Sequence, residues 1–96
     1  MSTAGVEVIT LVKKVMEDGS ECRKCQAVTR LLEEKGLIDR INKIVFADPK
    51  DPEGEGMKLV HIWNMKRAPF FIVEEAGRTA LYSSVMELIR KEFQRI

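Results

Sequence analysis

Two cysteines, Cys22 and Cys25, are the residues of this 96-residue chain whose type and spacing most directly suggest chemistry. They lie in the stretch GSECRKCQAV, residues 19–28. Two thiols this close serve as a redox pair, as half of a metal site, or as two small core residues. We favour redox chemistry, because in a reducing compartment close cysteines are more often catalytic or metal-binding than a permanent disulfide.

Disulfide exchange would give the two thiols different roles. One sulfur must be ionised near neutral pH, and the second must reach it to resolve a mixed disulfide. Residues three apart share a helix face, so Cys22 and Cys25 can meet at the start of a helix. The unpaired N–H groups there stabilise an anion, and such settings lower a thiol pKa from about 8.5 to roughly 3.5–7.5. We therefore expect Cys22 to be the nucleophile and Cys25, nearer the apolar stripe, to be the resolving thiol.

Charged residues surround the predicted nucleophile. Arg23 and Lys24 lie between the cysteines, and we expect them to favour the thiolate and make the pair more oxidising. Three nearby acidic residues, Glu17, Asp18 and Glu21, oppose this effect, and salt screens exposed charges of both signs. The alternative is that the two cations are ordinary solvated helix residues.

Metal binding is the main alternative function for the cysteine pair. A zinc site needs four ligands, and only His61 adds a third nitrogen or sulfur ligand within the chain. A metal would therefore need acidic ligands, an outside thiol or a second subunit, as in a dimer that shares an iron–sulfur cluster. We predict no obligatory metal or cofactor, and we expect His61 to face solvent.

Length and composition indicate one small folded domain, residues 1–96. Apolar residues make up 45% of the chain and charged residues 32%, as in a soluble globular protein. The net charge of +1, without a long basic stretch, argues against broad binding of nucleic acid or anionic membrane. The apolar run VITLV is too short for a membrane span and follows no basic leader, so we expect a cytoplasmic protein.

Hydrophobic patterns and turn residues predict the element order β-α-β-α-β-β-α. The predicted strands are Val6 to Val12, Lys43 to Asp48, PFFIVEE (69–75) and RTALYS (78–83), with a hairpin at Ala76-Gly77. A helix from Thr10 to Glu17 is the competing interpretation of the first segment. The Pro- and Gly-rich stretch DPKDPEGEG, residues 48–56, predicts a loop.

Three helices are predicted between and after these strands. The first opens near the cysteines and ends at Gly36 in a left-handed cap, with Leu37 packed behind it. The second runs from Met57 to Met65, with Asn64 as a left-handed residue at its end. The third begins with a Ser84–Glu87 capping box. Its predicted apolar face is Val85, Leu88, Ile89 and Phe93, and four aromatic residues are assigned to packing: Trp63, Phe70, Phe71 and Tyr82.

This order, with C-x-x-C at the start of the first helix, resembles the thioredoxin fold, and the small size resembles its glutaredoxin-like branch. LVHIWNMKRAPFFIV, residues 59–73, is similar to the family segment in which a helix ends and an X-Pro enters the third strand. The resemblance implies a three-layer α/β sandwich around a mixed four-stranded sheet. It also implies that Pro69 is cis and faces the sulfurs; the alternative is a trans proline at a strand edge. Ala68 would then offer its backbone to an extended substrate.

The resemblance further implies a thiol–disulfide oxidoreductase acting on a protein disulfide or on glutathione. Electrons would come from a thiol donor such as glutathione or from a reductase. Lys66 and Arg67 are expected near the same rim, where with the two cations between the cysteines they would form a basic patch. We therefore expect a partner with carboxylates near its disulfide. The predicted substrate-binding residues are Arg23, Lys24, Arg67, Ala68 and Pro69.

Several features depart from the family pattern. KKVMEDGSE, residues 13–21, separates the first strand from the cysteines, and we expect this extra segment to be a lid or a partner-selecting surface. Arg-Lys replaces the usual Gly-Pro or Pro-Tyr, and Glu21 stands where thioredoxins place a tryptophan. The Gly-Gly that holds glutathione after the last strand is replaced by YSSVMEL, residues 82–88. A redox-inactive binding module on the same fold is therefore a further alternative.

Overall fold

A computed structural model describes residues 7–93 of the chain and contains the predicted order of elements. The strands and helices are β1 Val8–Lys14, α1 Arg23–Glu34, β2 Lys43–Ala47, α2 Glu55–Trp63, β3 Phe70–Glu75, β4 Arg78–Tyr82 and α3 Val85–Leu88. A 3₁₀ turn, Ile38–Arg40, follows α1, and a π-helical segment, Ile89–Phe93, continues α3. Among residues 7–93, no helix has the length and apolar character needed to cross a membrane.

The four strands form one mixed sheet in the order β2-β1-β3-β4. β1 pairs with β2 in parallel, whereas β1–β3 and β3–β4 are antiparallel pairs. β1 is one of the two inner strands, and residues 9–13 are all buried, which explains why this segment is apolar on both faces. The competing helix from Thr10 to Glu17 is therefore wrong. The predicted start of the strand at Val6 lies outside the described residues.

The helices cover both faces of the sheet. α1 and α3 pack on the first face, over a core of Ile9, Leu11, Leu32, Phe71, Val73, Tyr82 and Leu88. α2 packs on the second face, over Val12, Val45, Ala47, Phe70 and Ile72, with Trp63 partly buried against them. The assignment of the four aromatic residues to packing is confirmed.

The predicted helix ends agree with the structure. Gly36 is left-handed, with φ 71°, and its N–H donates to the Glu33 carbonyl at 3.0 Å. The N–H of Leu37 donates to the Leu32 carbonyl at 2.8 Å, which completes the double hydrogen bond of a glycine-terminated helix. Asn64 ends α2 with φ 52°, as predicted.

The predicted bounds of α2 were wrong by two residues at each end. The helix begins at Glu55 and ends at Trp63, so the loop before it is shorter than the predicted 48–56. Gly56 lies inside this helix and is buried against β2. A Cβ built on Gly56 would collide with the carbonyl group of Phe46. This glycine therefore lets α2 lie against the backbone of β2 rather than breaking the helix.

The last helical segment is held by a buried carboxylate that the sequence analysis missed. Glu92 accepts hydrogen bonds from the Tyr82 hydroxyl at 2.5 Å and from the Arg78 guanidinium at 3.1 Å. Burial acts to raise the pKa of Glu92, but the hydrogen bonds from Tyr82 and Arg78 outweigh it and hold that pKa below its ordinary value. Ser84 caps α3 as predicted, accepting the Glu87 N–H at 3.3 Å.

We expect Gly56→Ala to destabilise the fold by about 1–3 kcal/mol, the usual cost of overpacking. A loss of stability would be informative, because replacing glycine by alanine in a helix interior otherwise stabilises a protein by about 1 kcal/mol. Urea unfolding measures the change. Lys58→Ala, on the exposed side of the same helix, is the control and should stay within about 0.5 kcal/mol of the parent. Equal or higher stability of Gly56→Ala would contradict the close approach of α2 to β2.

Candidate functional site

The segment between β1 and the cysteines is a short hairpin. Val15 and Glu21 form an antiparallel bridge, and the Met16 N–H donates to the Ser20 carbonyl at 2.7 Å. Asp18 orders the tip by accepting the N–H and the hydroxyl of Ser20 at 2.9 and 2.6 Å. These hydrogen bonds hold the pKa of Asp18 below its ordinary value. We call this segment, residues 15–21, the 15–21 hairpin.

The hairpin returns the chain to the end of β1, where Cys22 begins α1. The Cys22 N–H donates to the Lys14 carbonyl at 3.1 Å, so the cysteine backbone is fixed to the sheet. Cys22 is the N-cap residue, and its Sγ accepts the N–H of Cys25 at 3.2 Å. Serine or aspartate oxygens usually fill this role. The sulfur therefore lies at the positive end of the helix, as predicted, and it is half-buried.

Cys25 lies one turn further along α1 and is fully buried against the sheet. Its Sγ accepts the N–H of Lys14 at 3.3 Å. Burial, followed by a hydrogen bond to the Cys22 thiol, raises the pKa of Cys25 to about 11. Both cysteines are free thiols, but Cys22 is half-buried and lines a cleft whereas Cys25 is buried, so the pair is asymmetric.

The proline bend directly precedes β3, the strand that pairs with β1. The Ala68–Pro69 peptide bond is cis, the isomer that the family resemblance implies. The β1–β3 ladder ends at the pair Val12–Phe70, directly after the bend, and Ala68 lines a groove together with Lys14. The Lys14 peptide groups contact both cysteines, so the bend and the cysteine pair both lie near Lys14.

Two connected clefts open at this end of the sheet. The larger, which we call the cysteine cleft, has a volume of about 1000 Å³ and is bounded by the 15–21 hairpin, Cys22, Arg23 and Gln26. The smaller, of about 160 Å³, has an apolar floor that includes Met57, Val60, Met65 and Ala68. Its charged residues are Lys14, Lys66 and Arg67, so we call it the basic groove. Lys14 and Pro49 line both clefts and join them.

The predicted basic patch is divided between these surfaces. Arg23 lines the cysteine cleft, whereas Lys66 and Arg67 line the basic groove. Lys24 is exposed on α1 and is not among the residues that line either cleft. The four cations therefore do not all line one cleft. The tuning roles predicted for Arg23 and Lys24 remain predictions.

Two lysines at the end of β1 were missed because they were assigned to the extra loop. Lys14 supplies the backbone contacts to both cysteines and a side chain at the junction of the clefts. Lys13 is buried and forms an ion pair with Glu21 at 3.1 Å, with its ammonium 5.7 Å from the centre of the Phe46 ring. The available signal was strand alternation, which places Lys13 on the same face as Leu11.

Possible metal ligands are dispersed in the described part of the chain. His61 is exposed on α2, on the opposite side of the sheet from Cys25. Within residues 7–93, no group of three or more His, Cys, Asp or Glu side chains is arranged to hold a metal ion.

Comparison with known proteins does not assign the chain to a family. No protein-family model matches it, and no curated protein is significantly similar to it in sequence. The fold and the geometry of the cysteines are therefore the observations from which a function is inferred.

We expect the two cysteines to alkylate at very different rates. At neutral pH iodoacetamide should modify Cys22, since its sulfur is accessible, while the buried Cys25 stays unmodified. Cys25 should react only as the pH approaches its pKa of about 11. Peptide mass spectrometry of samples quenched over time at several pH values measures both rates. Equal labelling of the two cysteines at neutral pH would contradict the asymmetry, and a urea-unfolded sample gives the reference rates.

Proposed function

We propose that this chain is a dithiol–disulfide oxidoreductase of thioredoxin-like fold, belonging to the small glutaredoxin-like branch. The observation that carries the proposal is the half-buried Cys22 sulfur at the N-cap of α1, which accepts the N–H of Cys25. A sulfur in this position is open to a substrate and receives hydrogen-bond and dipole support for negative charge.

The arrangement of the sheet supports the proposed fold. Its order is β2-β1-β3-β4, with α1 and α3 on one face and α2 on the other. The cysteine pair follows the central strand, and the cis Ala68–Pro69 bond precedes the strand beside it. The family resemblance implied three layers, a mixed four-stranded sheet and a cis Pro69, and these features support the proposal.

In the proposed reaction, the Cys22 thiolate attacks one sulfur of a substrate disulfide. The substrate S–S bond breaks, a mixed disulfide forms, and the first substrate sulfur leaves as a thiolate that takes a proton from water. Cys25 then gives its proton to water and attacks the Cys22 sulfur. The S–S bond between Cys22 and the substrate breaks, the second substrate sulfur leaves as a thiolate that takes a proton from water, and a Cys22–Cys25 disulfide remains. Two electrons have passed to the substrate, and a thiol donor or a reductase returns them.

The surroundings of Cys25 fit the resolving role. Its burial keeps it protonated and protected before a mixed disulfide forms. The Lys14 N–H, at 3.3 Å from its sulfur, favours the anion that attacks in the second step. The same peptide unit thus helps to position the sulfur and to stabilise its charge.

The proposed substrates are protein disulfides or glutathione mixed disulfides, with glutathione as a possible electron donor rather than a bound cofactor. Lys14, Lys66 and Arg67 near the site favour substrates with carboxylates. Ala68 would pair with an extended substrate backbone, as a sheet edge pairs with an added strand. A cytoplasmic location, where thiol donors keep such a pair reduced, is part of the proposal.

Reduction of hydroxyethyl disulfide, a small neutral substrate, tests the proposal directly. We expect Cys22→Ser to fall to the uncatalysed rate, because a serine hydroxyl does not replace the thiolate. Its oxygen still caps α1, so the fold should be retained. With excess substrate and no added thiol, Cys25→Ala should accumulate a mixed disulfide on Cys22 that mass spectrometry detects, because no second thiol releases the bound half of the substrate.

The controls separate this function from its alternatives. Circular dichroism and urea unfolding establish that both variants are folded. Full turnover by folded Cys22→Ser would contradict the proposal and favour a redox-inactive binding module. Stoichiometric zinc or iron in the purified protein, together with absent turnover in the wild type, would instead favour metal or cluster binding.

A further inference from the structure

The two clefts near Cys22 differ in their charge. The basic groove contains three cations, Lys14, Lys66 and Arg67, and no acidic residue among those that line it. The cysteine cleft is lined by three acidic residues of the 15–21 hairpin, Glu17, Asp18 and Glu21, together with the cations Lys14 and Arg23. A substrate that extends over both clefts therefore meets acidic side chains only in the cysteine cleft.

Among residues 7–93, some of these charged side chains already have an ion-pair or hydrogen-bond partner, and others do not. Glu21 is paired with the buried Lys13, and Asp18 accepts hydrogen bonds from Ser20. Glu17 is exposed, and its carboxylate is in none of the ion pairs formed by residues 7–93. The same holds for Arg67 in the basic groove. Glu17 and Arg67 are therefore open to a partner, as are the exposed side chains of Lys14 and Lys66.

The hairpin that carries Glu17 is held in place over the cleft. Its strands are joined by the Val15–Glu21 bridge, and the Lys50 ammonium donates to the Glu17 carbonyl at 2.6 Å. This contact ties the hairpin to the loop that contains Pro49, which lines both clefts. The acidic hairpin is thus hydrogen-bonded to the loop that contains Pro49.

The apolar residues of the basic groove indicate that the substrate also has an apolar side chain, which charge alone does not require. Met57, Val60 and Met65 present apolar surface next to the cations. Glutathione supplies carboxylates but no apolar side chain to cover these residues. A peptide segment supplies both when an acidic residue lies next to an apolar one.

We propose that the substrate is a protein segment with acidic and apolar residues on one side only of its disulfide cysteine. That side occupies the basic groove, while the other side, which is neutral or basic, runs past Glu17 and the 15–21 hairpin. This inference rests on the proposed function, because it names the substrate class of the same cysteine pair. The earlier expectation was a substrate with carboxylates anywhere near its disulfide. The present inference also specifies that these carboxylates lie on one side of the disulfide cysteine.

Short peptides test the inference when each carries one cysteine blocked as a mixed disulfide with mercaptoethanol. An Asp-Leu pair is placed either before or after the cysteine, and Asn-Leu and Asp-Ser peptides serve as neutral and polar references. For one of the two placements, we expect the disulfide of the Asp-Leu peptide to be reduced about fivefold faster than that of the matching Asn-Leu peptide. This ratio corresponds to the energy of a favourable exposed charge pair. The opposite placement should show no gain, and Asp-Ser should be slower than Asp-Leu.

Charge-reversal variants then assign the effect to residues. Arg67→Glu should remove the preference for Asp-Leu over Asn-Leu, and Glu17→Lys should allow the second placement to gain as well. Arg30→Glu is the matched control, because it changes the net charge equally from an exposed position on α1. It should keep both the peptide preference and the rate with hydroxyethyl disulfide.

The possible results distinguish a failure of this substrate inference from a failure of the proposed oxidoreductase function. Absent turnover of hydroxyethyl disulfide by the wild type would contradict the proposed function. Normal turnover with equal rates for all peptides, or with equal gains from both placements, would contradict this inference alone. An equal loss of preference in Arg67→Glu and Arg30→Glu would also overturn it, because the effect would then follow net charge.

Discussion

The site depends on hydrogen bonds made by the backbone at the end of β1. The carbonyl of Lys14 accepts the N–H of Cys22, and the N–H of Lys14 donates to the sulfur of Cys25. β1 is an inner strand, and its end at Lys14 is paired with Ala47 of β2. The cysteine pair is therefore attached to the sheet through Lys14, although the 15–21 hairpin separates it from β1 in the sequence.

The same attachment makes the two thiols unequal. Cys22 caps α1 with its sulfur at the cleft, whereas Cys25 points into the core, where burial raises its pKa to about 11. Oxidoreductase chemistry needs this division between an attacking and a resolving thiol. The 15–21 hairpin and the basic groove add opposite charges around the accessible sulfur, so the surface that surrounds the chemistry is asymmetric as well.

Much of this arrangement could be predicted from local patterns. Apolar β-branched residues indicated β1, Gly36 and Asn64 marked helix ends, and the spacing of Cys22 and Cys25 indicated one helix face. Long-range contacts could not be predicted in this way. Gly56 was taken as a loop signal, but its lack of a side chain serves the contact between α2 and β2. Glu92 and Lys13 are buried charges whose partners, such as Tyr82 and Glu21, are distant enough in sequence to leave no periodic signal.

The central claim is that Cys22 and Cys25 form a reversible dithiol–disulfide couple, and a redox titration tests it most directly. The protein is equilibrated in buffers of varied glutathione redox ratio, quenched with acid and analysed by intact-mass and peptide mass spectrometry. The account predicts a monomer that reversibly loses its two thiol hydrogens and contains a Cys22–Cys25 disulfide at oxidising ratios. Failure to form that bond at any ratio, with only glutathione adducts or linked copies of the chain, would contradict it.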